Sequence, residues 1–193
     1  MATRIKAGII GATGYTGDIL LEVLVRHPHV ELQFVTTRQP NLAGEYVHRE
    51  HPNLLGFTDL KFTLYEPSNP AFSETTETVM KQARDSDVTF LCVPSGASAS
   101  ITKDLVGHNT KLIDTSADFR LKDPASYREF YGRDHPIPHL LKEHVYGLPE
   151  LHREEIRKAN YVACPGCNAT AMILAAYPLT KLDSFSGLRM VFD

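Results

Sequence analysis

Ala7-Gly8-Ile9-Ile10-Gly11-Ala12-Thr13-Gly14-Tyr15-Thr16-Gly17 is the stretch that decides the fold. The apolar run Arg4–Ile10 reads as a buried strand that stops at Gly11. From Tyr15 to Arg26, Ile19, Leu20, Val23 and Leu24 recur at helical spacing, and Pro28 ends the helix. Between strand and helix the glycines are spaced G-x-x-G-x-x-G, not the commoner G-x-G-x-x-G. They permit a tight turn and let the backbone approach a pyrophosphate. The helix start then offers free N–H groups and a partial positive charge to phosphate. The pattern predicts a dinucleotide turn, with Gly11, Thr13, Gly14, Tyr15, Thr16 and Gly17 as contacts. The alternative is a plain strand-to-helix turn without a ligand.

The end of the next strand chooses the cofactor. Glu31–Thr36 reads as that strand, and it runs out in Thr36-Thr37-Arg38. An enzyme that uses NAD places Asp or Glu there to hold the ribose 2′-OH. Here the nearby acid, Glu31, sits at the strand's start, so a hydroxyl and a guanidinium face the ribose. These suit a 2′-phosphate, which points to NADP held by Thr37 and Arg38. In the alternative, Arg38 is a solvated loop residue.

Outward from these elements the pattern keeps alternating. Gln39–Asp59 is loop-like, Glu74–Arg84 helical, and Asp87–Val93 an apolar strand closed by Pro94. Ala97–Val106 suits a helix, Lys111–Asp114 a strand, Tyr161–Cys164 a strand, Ala169–Ala176 a helix and Leu188–Phe192 the start of another strand. The class is α/β, a Rossmann-type doubly wound parallel sheet with helices on both faces. Leu121–Glu155 has little periodicity and reads as a functional loop or junction.

Composition excludes several classes. No apolar run reaches the roughly 18 residues a membrane helix needs, and no signal-peptide cleavage site follows the N-terminal strand. A net charge of −3 gives no sign of a nucleic-acid partner. Three cysteines, an odd number, favour a reducing compartment and hence the cytoplasm.

Cys164-Pro165-Gly166-Cys167 admits a redox pair, half of a zinc site, or one catalytic thiolate in a strand-to-helix turn. Zinc would need further ligands at suitable spacing. No second C-x-x-C exists and the histidines are scattered, so no metal is expected. A redox pair leaves the cofactor turn unexplained. The third reading uses both halves of the chain. Cys167 precedes the first turn of an apolar helix, whose positive end favours a thiolate and whose N–H groups could receive an oxyanion. Cys164, and Cys92 inside its apolar strand, read as core thiols. Tyr177 and Lys181 have the Y-x-x-x-K spacing of short-chain dehydrogenases, but Pro178 between them removes a helical hydrogen bond. The match reads as coincidence.

Four motifs in order carry a resemblance: Gly11–Gly17, then Asp114-Thr115-Ser116-Ala117-Asp118-Phe119-Arg120-Leu121, then Tyr146-Gly147-Leu148-Pro149-Glu150, then Ala163-Cys164-Pro165-Gly166-Cys167-Asn168-Ala169-Thr170. Together they resemble the N-acetyl-γ-glutamyl-phosphate reductase family. The resemblance implies an NADP-binding Rossmann domain over 1–163, and over 164–193 the first part of a mixed α/β catalytic and dimerisation domain. It implies NADPH-dependent reduction of an acyl phosphate to a semialdehyde through a Cys167 thioester, in arginine or lysine biosynthesis. Substrate contacts are expected at Ser116, Arg120 and Asn168, although an Asp118–Arg120 pair bracing the turn accounts equally well for Arg120. Two positions depart from the family. Asn168 stands where arginine-pathway members commonly have Tyr or Phe, which resembles the branch acting on glutamyl or aminoadipyl phosphate borne on an amino-group carrier protein. Ser95 stands where many relatives have His. The family's acid–base histidine lies well beyond the cysteine, and no histidine follows His152. The chain therefore reads as C-terminally truncated, with a full-length form expected to be a homo-oligomer. The alternative function is a non-catalytic NADP-binding fragment or a redox sensor using Cys164 and Cys167.

Overall fold

β1 (Ile5–Ile10) alternates its side chains across a sheet, and that alternation builds two cores. Ile9 packs with Leu21, Leu24, Val35 and Phe62 on one face, while Ile10 packs with Phe34, Met80, Leu91 and Leu112 on the other. The computed structural model describes residues 3–182 and 190–192. α1 (Tyr15–Val25) follows the glycine turn and buries Leu21 and Leu24 against the first core. β2 (Val30–Thr37), a four-residue helix α2 (Val47–Glu50) and β3 (Phe62–Leu64) follow. α3 (Ser73–Asp85) buries Val79, Met80 and Ala83 on the second face, each large apolar side chain contributing roughly 1.5–3 kcal/mol. β4 (Val88–Leu91), α4 (Ala97–Leu105) and β5 (Lys111–Asp114) complete the regular alternation.

The remaining elements are α5 (Pro124–Tyr131), β6 (Val145–Tyr146), α6 (Pro149–Lys158), β7 (Tyr161–Ala163) and α7 (Cys167–Ala176). The seven strands run in the order β3-β2-β1-β4-β5-β7-β6, every pairing parallel. This is the expected α/β class, a Rossmann-like doubly wound sheet. The chain winds outward through β2 and β3, then returns to the other side of β1. The β1–β4 boundary is thus the switch point, where a crevice opens at the strands' carboxyl ends.

Two expectations need correction. Residues 39–59, read as loop, contain α2 and lead into β3, whose three residues are too short to show periodicity. Leu121–Glu155, read as irregular, contains α5, β6 and most of α6. α5 had local signals. Asp123 accepts hydrogen bonds from the N–H groups of Ala125 and Ser126, Pro124 is the first helical residue, and Gly132 closes the helix at φ 67°. Its apolar content is mostly aromatic, so the aliphatic spacing that marks other helices is missing. α6 buries none of its residues and has no apolar stripe to read. Of the strand expected over Leu188–Phe192, residues 188 and 189 lie outside the described residues, and Met190–Phe192 have no regular structure. No helix among the described residues is long and apolar enough to cross a membrane.

Candidate functional site

The carboxyl ends of β1, β2 and β4 open onto a cavity of about 520 Å³ at the switch point, within the size range of cofactor pockets. Gly11, Thr13 and Gly14 form one wall, Thr36 and Arg38 a second, and Val93, Pro94 and Gly96 a third. The tight turn depends on close backbone approach. Gly11 sits at φ 93°, and a Cβ there would lie 2.3 Å from the Cys92 carbonyl oxygen. A Cβ on Gly17 would lie 2.1 Å from the Gly11 carbonyl oxygen. Gly14 differs, since a Cβ there would make only ordinary van der Waals contacts, its nearest neighbour being the Gly11 carbonyl oxygen at 3.7 Å. Gly14 is also the N-cap of α1 and supplies no side-chain cap, so the first-turn N–H groups remain available to an anion. The residues present therefore fit a dinucleotide's phosphates.

β2 locks this turn in place. The Gly11 N–H donates to Thr36 Oγ1 at 3.0 Å, and the Ala12 N–H donates to the Thr36 carbonyl at 2.9 Å. Thr37, assigned from the sequence to the cofactor, is fully buried, and its hydroxyl meets Thr13 Oγ1 at 3.1 Å and accepts from the Gln39 N–H at 3.0 Å. Strand alternation turns Thr37 inward and leaves Thr36 on the cavity wall. Tyr15 and Thr16 are exposed beyond the cavity lining, and Gly17 is buried behind it. Arg38 reaches the wall but is paired with Glu66, a residue the sequence reading does not single out. Nε donates to Oε2 at 3.0 Å and Nη2 to Oε1 at 3.2 Å. The Ser68 hydroxyl also bonds Glu66 Oε1, and these two partners hold the carboxyl below its ordinary pKa.

The third wall is held from behind. Asp118 is fully buried, and both its oxygens accept from the Gly96 N–H, while Oδ2 also accepts from Ala99 at 3.1 Å. Arg133 pairs with Asp118 at 3.4 Å, so the bracing Asp118–Arg120 pair considered above does not form. Ser95 accepts from the Ala117 N–H at 3.2 Å. Ser116 is turned inward. Its hydroxyl donates to Asp114 at 2.8 Å and accepts from the Asp118 N–H at 3.1 Å. Burial raises the pKa of Asp114.

Arg120 ties this loop to the cysteine turn. Its Nε donates to the Cys164 carbonyl at 2.8 Å and its Nη2 to the Thr115 carbonyl at 2.9 Å. The remaining guanidinium nitrogen lies against Gly166, the N-cap of α7. Cys167 is the first residue of α7 and is exposed, with Sγ 3.8 Å from the Asn168 carboxamide oxygen. All three cysteines are free, and burial pushes Cys92 and Cys164 up to about 11, so both are neutral thiols near pH 7. Tyr177 and Lys181 do not share a helix. α7 ends at Ala176, and the Lys181 ammonium sits over the Tyr177 ring at 4.6 Å. Among the described residues, Asp18, Glu22 and His51 gather donor atoms within 4.8 Å, but Asp18 already engages His51 at 3.0 Å and Glu22 accepts from Asn53 at 2.9 Å.

A family described as "Semialdehyde dehydrogenase, NAD binding domain" matches residues 6–159. An N-acetyl-gamma-glutamyl-phosphate reductase of Nitrosococcus oceani is 43% identical over 189 residues, 98% of this chain and 51% of its own length. A putative [LysW]-L-2-aminoadipate/[LysW]-L-glutamate phosphate reductase of Thermococcus kodakarensis is 51% identical over 178 residues, 92% of this chain and 47% of its own length. The chain thus spans about half the length of the curated relatives it matches. Among solved structures, aspartate semialdehyde dehydrogenase II of Vibrio cholerae superposes with a TM-score of 0.60 at 18% identity, covering 93% of this chain and 47% of that one. That likeness concerns the fold.

Proposed function

This chain belongs to the semialdehyde dehydrogenase NAD-binding family, and on that premise we propose that it carries the cofactor site and nucleophile of an NADP-dependent acyl-phosphate reductase. A nicotinamide cofactor follows from the family. Its phosphorylated form is supported by Arg38 at the end of β2, where no acid stands in the chain. The Gly14 cap and free first-turn N–H groups of α1 receive the pyrophosphate. Residues 1–163 form the cofactor domain, and 164–193 begin the catalytic and dimerisation part of a homo-oligomer acting in the cytoplasm.

The observation that carries the reading is the exposed Cys167 at the uncapped start of α7, whereas Cys92 and Cys164 are both partly buried. With its proton passed to solvent, the Cys167 sulfur attacks the acyl carbon. A C–S bond forms, the bond to the phosphate oxygen breaks, and inorganic phosphate leaves. When bound, the reduced nicotinamide supplies a hydride to the thioester carbon. The C–S bond then breaks, returning the thiolate and releasing the semialdehyde. Backbone N–H groups in the first turn of α7 stabilise the negative oxygen formed in each half. Arg120 holds the turn through the Cys164 carbonyl and presents its remaining nitrogen beside Gly166, where a substrate anion can pair with it. Substrates in this class are protected glutamyl or aminoadipyl phosphates of arginine or lysine synthesis. Asn168 and the 51% identity to a [LysW]-dependent relative favour a carrier-borne substrate.

Alkylation with iodoacetamide, followed by peptide mass mapping, tests the nucleophile. Cys167 is expected to label first, with Cys92 and Cys164 far behind. Equal labelling of Cys164, or a Cys164–Cys167 disulfide under mild oxidation, would sink the thioester reading in favour of a redox sensor.

A further inference from the structure

We propose that Glu66 sets how strongly this site discriminates NADPH from NADH, an inference that rests on the cofactor reading above. An acid at the end of β2 would mark an NAD site, and the chain has none there. The sheet brings one from the next strand. β3 runs parallel to β2 with Thr37 opposite Leu64, so the residues just past both strands leave side by side. Arg38 and Glu66 meet there, and both carboxylate oxygens are engaged by the guanidinium. Ser68 adds a third bond from the same loop. Arg38, Glu66 and Ser68 all line the cavity, and they also line a smaller adjoining recess with Asn69 and Phe72.

The pair is not symmetric. The Arg38 side chain is 61% exposed and that of Glu66 only 19%, so the carboxylate is the inner, better-held partner. Two opposite consequences follow. A ribose 2′-phosphate entering this wall needs Arg38, whose charge is already matched by a carboxylate fixed to the protein. The phosphate must therefore compete with Glu66 and sit near a like charge. A ribose with a free 2′-hydroxyl meets no such repulsion and can donate to Glu66, the role an acid plays at the end of β2 in NAD-dependent relatives of this fold. Glu66 thus opposes NADPH and supports NADH, while Arg38 does the reverse. The site holds a tunable preference in place of an absolute one.

The test is direct titration of the full chain with NADPH and with NADH, read by nicotinamide fluorescence, without turnover. Glu66→Gln keeps the side chain's shape and a Ser68 partner while removing the charge. It should raise the ratio of NADPH to NADH affinity about tenfold, the size expected for losing one like charge at a part-exposed wall. Arg38→Met should lower the ratio. Affinity for NADPH should also fall more steeply with added salt in Glu66→Gln than in the unsubstituted chain, because the freed guanidinium then pairs with the phosphate alone. Binding of both cofactors with a ratio unchanged within about twofold in Glu66→Gln would overturn the role of Glu66 and leave the cofactor reading intact. Failure of the unsubstituted chain to bind either cofactor would overturn both.

Discussion

Both carboxylate oxygens of Asp118 accept from the Gly96 N–H, at 2.7 and 2.9 Å, although the two residues lie on different elements. Gly96 is the N-cap of α4 and has no side chain to cap it, so a buried acid from the loop after β5 does that work. The bond fixes the Pro94–Gly96 wall of the cavity. Asp118→Ala leaves the Gly96 and Ala99 N–H groups unpaired and should cost about 3 kcal/mol. For a chain of this size that lowers Tm by roughly 6–12 °C. Asp118→Asn keeps an acceptor oxygen and should cost about half as much. Thermal melts of both variants check the order.

A second prediction concerns acid. His144 is buried and stacked on Phe119 at 3.8 Å, its Nδ1 paired with the Leu140 carbonyl at 2.9 Å. Burial lowers it to about 4, and burial also lowers His135, whose ring meets that of Phe119 edge-on. In the unfolded chain both histidines titrate near 6.5. Between about pH 6.5 and 4 the unfolded state binds more protons, so stability rises with pH there and is lost as pH falls. His144 alone accounts for about 3 kcal/mol across that window. His144→Phe should flatten the dependence while keeping the stack. Urea unfolding midpoints at pH 7, 6 and 5 measure it.

Glycine replacements should separate folding from binding. Gly17→Ala drives a methyl group to 2.1 Å from the Gly11 carbonyl and should destabilise the chain by several kcal/mol. Gly14→Ala meets only ordinary contacts, so Tm should move by no more than about 3 °C. If the cofactor's phosphates pack on this turn, the same methyl group should weaken NADPH binding about tenfold or more. A Gly14→Ala chain that binds NADPH normally would count against the turn as the phosphate site.

Arg120→Lys tests the coupling between this loop and Cys167. A lysine ammonium cannot reproduce the guanidinium fork that joins the Cys164 and Thr115 carbonyls. The variant should lose about 1–3 kcal/mol. Its Cys167 should alkylate at an altered rate, because the turn before α7 is no longer held. An unchanged labelling rate with a lowered Tm would reduce Arg120 to a structural brace.

Much of this was legible in the chain itself, and the reason is range. Strand period, helix period and glycine punctuation are local properties. Ile9 and Ile10 enter opposite cores simply because neighbours in a strand face opposite ways. For the same reason β1, its glycine turn, α1 and the later alternation through β5 could be read directly, as could Cys167 at a helix start. What failed locally was weakly patterned. β3 is too short, α5 is aromatic, and α6 buries nothing.

The site's wiring belongs to tertiary structure alone. Thr36 faces the cavity and Thr37 does not, because β2 pairs with β1 and β3 in one register out of two possible. Arg38 meets Glu66 across 28 residues, Gly96 meets Asp118 across 22, and Arg120 meets Cys164 across 44. Each contact exists because two strand ends become neighbours in a single sheet order. That order is settled by burying both faces of the whole sheet, a condition no short stretch of sequence contains. The sequence by itself determined a glycine-rich strand-to-helix turn and a cysteine at a helix start, and the packed sheet decided which charges stand beside them.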